Sequence, residues 1–353
     1  MRLPSVKDLS VANKKVLLRT NYDVPLLRQP ADQGKLLVAD ATRIEESLPT
    51  INYLLSQKAK VIIVSHLGRP GGKIVLELSL RSVAEEISNF QFSISNKFSI
   101  SNFQTGEFKG WKLDEQVVLL ENLRFYPEEE ANDLEFAKKL ASLGDFYVND
   151  AFACSHRKHA SVVGIPKFLP VSRRAFGFDF LEEVKALTKI KDNPRRPVVV
   201  ILGGVKKNKI EAAKKLVFWA DHILVGGKLV EYDGIPNLIK HPKIDADLIK
   251  DGQDITMETV KKFKKIIAKA GTVVWAGPMG NFYDKKHERG TREIAEAIVK
   301  SGAFSVVGGG DTEAALTKFG LDKKIDFISS GGGAMLAFLA EGTLPGIEAI
   351  KNG

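Results

Sequence analysis

Short β-branched segments alternate with helical patterns along the chain: KVLLR, KVIIVS, QVVLLE and DFYVN, then PVVVIL, DHILVG, TVVWAG, FSVVGG and KIDFISS. A strand followed by a helix before the next strand cannot close as a tight hairpin, so this rhythm selects parallel sheets covered by helices on both faces. At 353 residues the chain exceeds one ordinary core. The expected fold is therefore α/β, with two doubly wound parallel-sheet domains. The division falls between Pro170 and Pro197, where RRAFGFDFLEEVKALTKI reads as a helix and KDNPRRP as the turn that launches the next strand. A helix joining two domains is expected to act as a hinge.

The strand ends differ between the halves. Arg19 closes VLLR, SHLGRP places His66 and Arg69 after VIIV, Arg124 follows VVLLENL, and Asn149-Asp150 leads on to Arg157 and His159. In the second half the strands run into Gly203-Gly204, Gly226-Gly227, Gly277, Gly308-Gly309-Gly310-Asp311-Thr312 and Gly331-Gly332-Gly333. Ligands of an open parallel sheet bind outside the carboxyl ends of its strands, so these positions are placed for chemistry. Arginine forks match carboxylate and phosphate oxygens. Arg19, Arg43, Arg69, Arg124 and Arg157, with His66 and His159, read jointly as a patch for a multiply charged anion, although each taken singly reads as a surface ion-pair partner. Beside Ser65, Gly68 and Arg69, His66 reads as an anion donor rather than a general base.

Glycines between a strand and a helix let backbone amides approach phosphate, and the helix N-terminus adds a favourable partial charge. GGGDT followed by EAALTKFG has that arrangement, though a GGG by itself is also a plain tight turn. Asp311 reads either as a cap of this helix or as a ligand of a magnesium ion bridging nucleotide phosphates. Lys206 and Lys209 follow the first glycine pair, as mobile point charges for phosphates or as ordinary exposed lysines; Lys207 is less constrained. Walker-type, HRD, DFG and zinc-ligand spacings are absent. A phosphate donor, an anion site and no evident base suit an acceptor that is already ionised, such as a carboxylate of pKa roughly 4.

Composition narrows the partners. Hydrophobic residues make up 44% and charged residues 27%, values of a globular chain, and no apolar run approaches the roughly 20 residues of a spanning helix. MRLPSVKDLS lacks an apolar export signal, and the single cysteine, Cys154, excludes an internal disulfide; a cytoplasmic, reducing location without membrane partners is expected. Cys154 beside His156 reads as a small buried hydrophobe rather than a nucleophile. The net charge of +9 admits acidic small molecules or nucleic acid. Lys261, Lys262, Lys264 and Lys265 read as the solvated face of one helix, and the arginines lack the interleaved aromatics of a single-strand binder, so no nucleic-acid partner is expected. Ser88 to Gln104, with FSISN twice, departs from the rhythm and reads as a surface β-hairpin or local duplication without assigned function.

LLRTNYDVPL, DATRIEESLPTI, SHLGRP, LLENLRFYPEE, FYVNDAFACSHRKHAS, ILGGVKKNKI, VVWAGPMGNF, VVGGGDTEAAL and SSGGGAMLAFLAEGTLPGI resemble, in order and over essentially the whole chain, the motifs of the phosphoglycerate kinase family. The resemblance implies Rossmann-like domains: 1–172 binding phosphoglycerate, 173–192 forming the interdomain helix and hinge, 193–338 binding nucleotide, and 339–353 returning as a tail to the first domain. It implies reversible phosphoryl transfer between ATP and the carboxylate of 3-phosphoglycerate, with Mg2+ accompanying ATP or ADP, hinge closure, and a monomer. Asn21, Asp23, Arg43, His66, Arg69, Arg124, Arg157 and His159 would then hold phosphoglycerate, Arg43 near the reacting carboxylate and Arg19 within the basic patch. Lys206 and Lys209 would contact the transferring phosphoryl group and nucleotide, Gly308, Gly309, Gly310, Asp311 and Thr312 the phosphates, Asp311 the metal, and Gly203, Gly204, Gly226 and Gly227 the adenosine.

Four departures mark this chain. Asn21 and Asp23 exchange the family's Asp-x-Asn order, the lysine loop is one residue shorter, Ala276 replaces an Asn, and Tyr283 stands where a glutamate usually grips the ribose. Nucleotide handling is where a difference is expected. The departures keep a second reading open, a catalytically weakened homologue serving as a phosphoglycerate or nucleotide sensor module. A nicotinamide-dependent dehydrogenase lacks support, because no clear GxGxxG with an acidic ribose partner follows a first strand.

Overall fold

The computed structural model describes residues 2–28, 35–90, 100–205, 208–231 and 243–352. They form two compact units, Met1–Glu183 with Pro345–Gly353, and Val184–Leu344.

The first unit begins with β1 (Lys15–Thr20), β2 (Leu26–Arg28), β3 (Leu36–Val38), α1 (Thr42–Ser56), β4 (Lys60–Val64) and α2 (Arg81–Asn89). It continues with β5 (Ser101–Thr105), β6 (Phe108–Lys112), β7 (Val117–Leu120), α3 (Pro127–Ala131), α4 (Leu134–Ala141), β8 (Phe146–Asp150) and β9 (Arg174–Phe176). The main sheet has the order β5-β6-β7-β4-β1-β8-β9. From β7 to β9 every pairing is parallel, and strand order reverses between β1 and β8, the switch point where such sheets bind ligands. β1 is buried from Val16 to Thr20, as a central parallel strand must be. Helix α1 turns Ile44, Ile51, Leu54 and Leu55 into the same core, one stripe of a 3.6-residue period. The register sets Arg19 between Val64 and Asn149, so the basic strand ends meet in one row.

Two expectations change here. The sheet is not wholly parallel: β5 and β6 are an antiparallel edge, because Gly106, at φ 57°, and Glu107 close a tight turn between Thr105 and Phe108. β5 holds the end of the Ser88 to Gln104 segment, whose residues 91–99 lie outside the described residues. The helix expected from Arg173 onward begins later, as α5 (Phe178–Asp192), since Arg174–Phe176 pairs with β8 as β9. Gly177 breaks the pattern because a Cβ there would fall 2.2 Å from the Asp150 carboxylate carbon. The border between the two units falls within α5.

The second unit holds β10 (Val198–Leu202), α6 (Asn208–Leu216), β11 (His222–Val225), β12 (Lys243–Asp245), α7 (Met257–Ile267) and β13 (Thr272–Ala276). After these come α8 (Arg289–Ser301), β14 (Phe304–Gly308), α9 (Gly310–Phe319), β15 (Phe327–Ser329) and α10 (Gly332–Glu341); the last helix, α11 (Pro345–Asn352), belongs to the first unit. All neighbours in the order β12-β11-β10-β13-β14-β15 are parallel, and the switch point lies between β10 and β13. Leu202 lies opposite both Val225 and Ala276, so the next residues, Gly226, Gly203 and Gly277, end three adjacent strands side by side. Helix α7 buries Val260, Phe263 and Ile267 and turns Lys261, Lys262 and Lys265 to solvent. Among the described residues, no single helix is long and apolar enough to cross a membrane.

Candidate active site

Arg19, at the end of β1, is fully buried. Its Nε donates to Ser161 Oγ at 2.8 Å, Nη1 donates to the Thr20 carbonyl, and Nη2 donates to His66 Nδ1 at 3.2 Å. Because a guanidinium only donates, His66 Nδ1 is the acceptor and the ring proton sits on Nε2. Ser161, on the π-helical turn Ala160–Gly164, donates Oγ–H to Glu129 Oε1 at 2.5 Å and N–H to Oε2 at 2.8 Å. Glu129, from α3, is also fully buried, and burial raises its pKa against the pull of Arg19. The buried cation and anion thus meet through Ser161.

Burial, then Arg124 and Arg19, hold the His66 pKa well below its ordinary value. Burial and the same arginines take His159 down to about 3, and burial with Arg157 takes His156 to about 4. At neutral pH these imidazoles are uncharged hydrogen-bond partners, not bases. Arg124 donates to the Gly68 carbonyl at 2.7 Å, and its pKa is lowered by burial and by Arg157 and Arg19. Arg124 Nε, Asn21 Nδ2 and His159 Nδ1 are buried without a hydrogen-bond partner, though Arg124 Nε faces Glu130 Oε1 as an ion pair at 3.4 Å. Buried nitrogens without hydrogen bonds among mutually repelling arginines suit a polyanion with several oxygens.

Tyr22 anchors the neighbouring loop: it is fully buried, its N–H donates to Ser65 Oγ at 2.9 Å, and its hydroxyl meets Ser47 Oγ at 2.8 Å. Asp23 Oδ1 accepts the Gly68 N–H at 2.8 Å, and the Asp23 carbonyl accepts from Arg43 Nη1. The Asp23 carboxylate therefore fixes the SHLGRP loop, and its carbonyl aims Arg43. Arg43 and Arg157 are half-buried and Arg69 is exposed. Cys154 is buried, its thiol donating to the Ala151 carbonyl at 3.5 Å, as a packed side chain rather than an exposed nucleophile. Sequence reasoning missed Glu129 and Ser161, since FYPEEE reads as a solvated acidic turn.

In the second unit the glycine ends form a connected floor. Gly203 donates to the Ala276 carbonyl at 3.0 Å, Gly204 to the Pro278 carbonyl at 2.7 Å, and Gly227 to the Met279 carbonyl at 3.1 Å. Gly277, at φ 98°, has no room for a side chain: a Cβ would fall 2.2 Å from both the Gly203 oxygen and Lys209 Nζ. Lys209 departs from the picture of a mobile charge, because Nζ donates to the Gly203 carbonyl at 2.8 Å and the Ala276 carbonyl at 3.0 Å. Lys206 lies outside the described residues.

Gly309, at φ 98°, turns the chain from β14 into α9 and caps it, its carbonyl accepting the Thr312 N–H at 2.9 Å and the Glu313 N–H at 3.1 Å, so the positive end of the helix dipole lies at this turn. Thr312 is buried; its hydroxyl accepts the Gly277 N–H at 2.7 Å and donates to the Gly308 carbonyl at 3.3 Å, so it joins β13 to β14. Gly308 is buried against Gly332, Gly310 and Asp311 are exposed, and Gly226 packs against Met279. Tyr283 is 72% exposed, and its phenol pKa is raised by partial burial and by the charge of Asp311. Among the described residues no cluster of three or more His, Cys, Asp or Glu is able to hold a metal alone. Asp311, a single exposed carboxylate at the start of a helix, fits a Mg2+ ion only if the ion brings its other ligands with it.

A family model described as phosphoglycerate kinase matches residues 6–232 and 237–342. The chain is 38% identical over 392 residues to the phosphoglycerate kinase of Solibacter usitatus (strain Ellin6076), covering 99% of each chain. It is 39% identical over 406 residues to that of Koribacter versatilis (strain Ellin345), again covering 99% of each. Both alignments are longer than this chain, so some positions of these relatives have no counterpart here. Among solved structures, the phosphoglycerate kinase from Coxiella burnetii superposes with a TM-score of 0.73 at 32% identity, covering 99% of both chains. That from Pyrococcus horikoshii OT3 gives 0.74 at 27%, covering 99% of this chain and 98% of the other. The family match, the relatives aligned over 99% of this chain and the solved structures of the same fold agree, and the chain belongs to the phosphoglycerate kinase family.

Proposed function

We propose that this chain transfers a phosphoryl group between ATP and the carboxylate of 3-phosphoglycerate, giving 1,3-bisphosphoglycerate and ADP. The observation that carries the acceptor is the basic half-site: arginines around buried nitrogens that lack hydrogen bonds, with His66 and His159 held neutral. A phosphorylated carboxylic acid supplies the oxygens such a site lacks and needs no deprotonation before attack.

Arg124, Arg157 and His159 are the groups we assign to the acceptor's anionic oxygens, with Arg69 at the exposed rim. Arg43, aimed by the Asp23 carbonyl, is assigned to the reacting carboxylate, where its charge counters the build-up on the transferring oxygens. Asn21 offers an orphaned amide, while Asp23 keeps the loop in place.

On the donor side, the Gly203-Gly204, Gly226-Gly227 and Gly277 floor gives a nucleotide close approach to backbone, and the start of α9 offers its phosphates the positive end of a helix dipole. Asp311 would hold Mg2+, which when bound neutralises phosphate charge. Lys206 is assigned to the transferring phosphoryl group by resemblance to the family. Lys209 supports the floor from beneath.

A coupled assay with purified protein, 3-phosphoglycerate and Mg-ATP tests this reading. Arg43→Ala is expected to lower kcat by about 100-fold or more, with a smaller change in nucleotide KM. Equal turnover in the parent and Arg43→Ala proteins would reject the assignment.

A further inference from the structure

His287 is held by carboxylates from both sides. Its Nδ1 lies 2.8 Å from Asp284 Oδ2 and its Nε2 2.9 Å from Asp251 Oδ2, with 10% of the side chain exposed. An ionised carboxylate only accepts, so both contacts are hydrogen bonds only when both ring nitrogens carry protons. The imidazolium is the form that satisfies this geometry, and a neutral ring loses one of the two bonds.

The two aspartates belong to different segments. Asp251 lies in the turn before α7, where its Oδ1 accepts the Gln253 N–H at 3.0 Å. Asp284 lies in the connection between β13 and α8, where its Oδ1 accepts the Lys286 N–H at 2.9 Å. The same segments meet again where Asn281 donates its N–H to the Gln253 carbonyl at 2.8 Å and its side-chain amide to Gln253 Oε1 at 3.2 Å. Asp254, buried in that turn, accepts the Gly290 N–H at 2.8 Å. The β13–α8 connection also carries Phe282, whose carbonyl accepts from Lys318 of α9 at 2.7 Å, and Tyr283, which lies within the electrostatic reach of Asp311.

We infer that His287 is a positioning residue of the nucleotide half-site: as an imidazolium it ties the 281–288 segment to the 249–254 turn, and its deprotonation loosens the hold on Tyr283, which lies within reach of Asp311 at the start of α9, and on Phe282, bonded to Lys318 in the last turn of that helix. The inference rests on reading the second unit as the nucleotide binder.

The surrounding charges favour the protonated ring. Asp251 and Asp254 face it from the turn and Asp284 from its own segment, where Lys286 acts on Asp284; Glu288 is already paired with Arg292 of α8 at 2.6 Å and Lys318 of α9 at 2.7 Å. The hydrogen bond to Asp251 leads in raising the His287 pKa, with Asp284 adding to it. The two partners are shifted the other way, Asp251 chiefly by the Gln253 amide and Asp284 by the Lys286 amide. The clasp is therefore complete from the ordinary carboxylate range upward and is lost as pH rises through the raised His287 value.

Hydrogen exchange of the 281–288 amides and calorimetry with Mg-ADP, from about pH 6 to about pH 9, test this in the full chain. In the parent protein, protection is expected to fall and the Mg-ADP Kd to rise by about tenfold as His287 titrates, the effect of losing one charge-assisted bond. His287→Gln and, independently, Asp284→Asn are expected to show the high-pH values throughout. Binding and protection that do not change with pH, or that match between parent and both variants, overturn the inference while leaving the nucleotide reading intact. Absence of Mg-ADP binding at every pH overturns the nucleotide reading and this inference with it.

Discussion

Burying a guanidinium costs several kcal/mol unless its charge and all its donors are compensated. Each of the three guanidinium nitrogens of Arg19 has a partner, in Ser161, the Thr20 carbonyl and His66, and Glu129 supplies the opposite charge one hydroxyl away. Removing only one member leaves a buried charge without its counterpart. Arg19→Met is accordingly expected to lower unfolding free energy by about 3–5 kcal/mol in denaturant titrations. Adding Glu129→Gln should recover a large part of that loss, because the remaining groups are then neutral. Additive losses in the double variant would show that Arg19 and Glu129 do not compensate each other. His66 depends on the same network: with Nδ1 taken by Arg19, its Nε2–H is the donor left for a ligand.

At the scale of elements, α5 carries an unusual start. The Asp150 carboxylate at the end of β8 accepts the Phe180 N–H at 3.1 Å, capping the helix from outside, while Asp179 lies in its first turn. Burial, followed by Asp150, Glu46, Glu183 and Glu182, pushes Asp179 up to about 9. The folded chain thus keeps a proton that the unfolded chain releases near the ordinary value of roughly 4. Its contribution is present in full below that ordinary value and is lost as pH rises through about 9. Asp179→Asn, which needs no proton, should be more stable than the parent by on the order of 1–2 kcal/mol at neutral pH, the gap widening towards about 9. Thermal unfolding across that range checks it; a constant difference would mean that Asp179 is ionised in the folded state.

For the molecule as a whole, the parallel architecture was readable because β-branched runs and helical stripes keep different periods, and strand register then carried Arg19, His66 and Asn149 together without further information. The same logic aligned Gly203, Gly226 and Gly277. What escaped sequence reading depends on long-range geometry: Glu129 hides in an acidic run, Arg174–Phe176 is a strand only because β8 lies beside it, and His287 gains meaning only from aspartates on two loops. Lys209 was visible as a charge, but its direction, down onto the strand ends, is set by two carbonyls rather than by its neighbours in sequence. The proposed acceptor is a carboxylate, whose product is an acyl phosphate. Trapping with hydroxylamine tests this directly, since an acyl phosphate yields a hydroxamate whereas a phosphate ester does not. Hydroxamate formation that requires protein, 3-phosphoglycerate and Mg-ATP together, in step with ADP release, is the predicted result; ADP release without hydroxamate would contradict it.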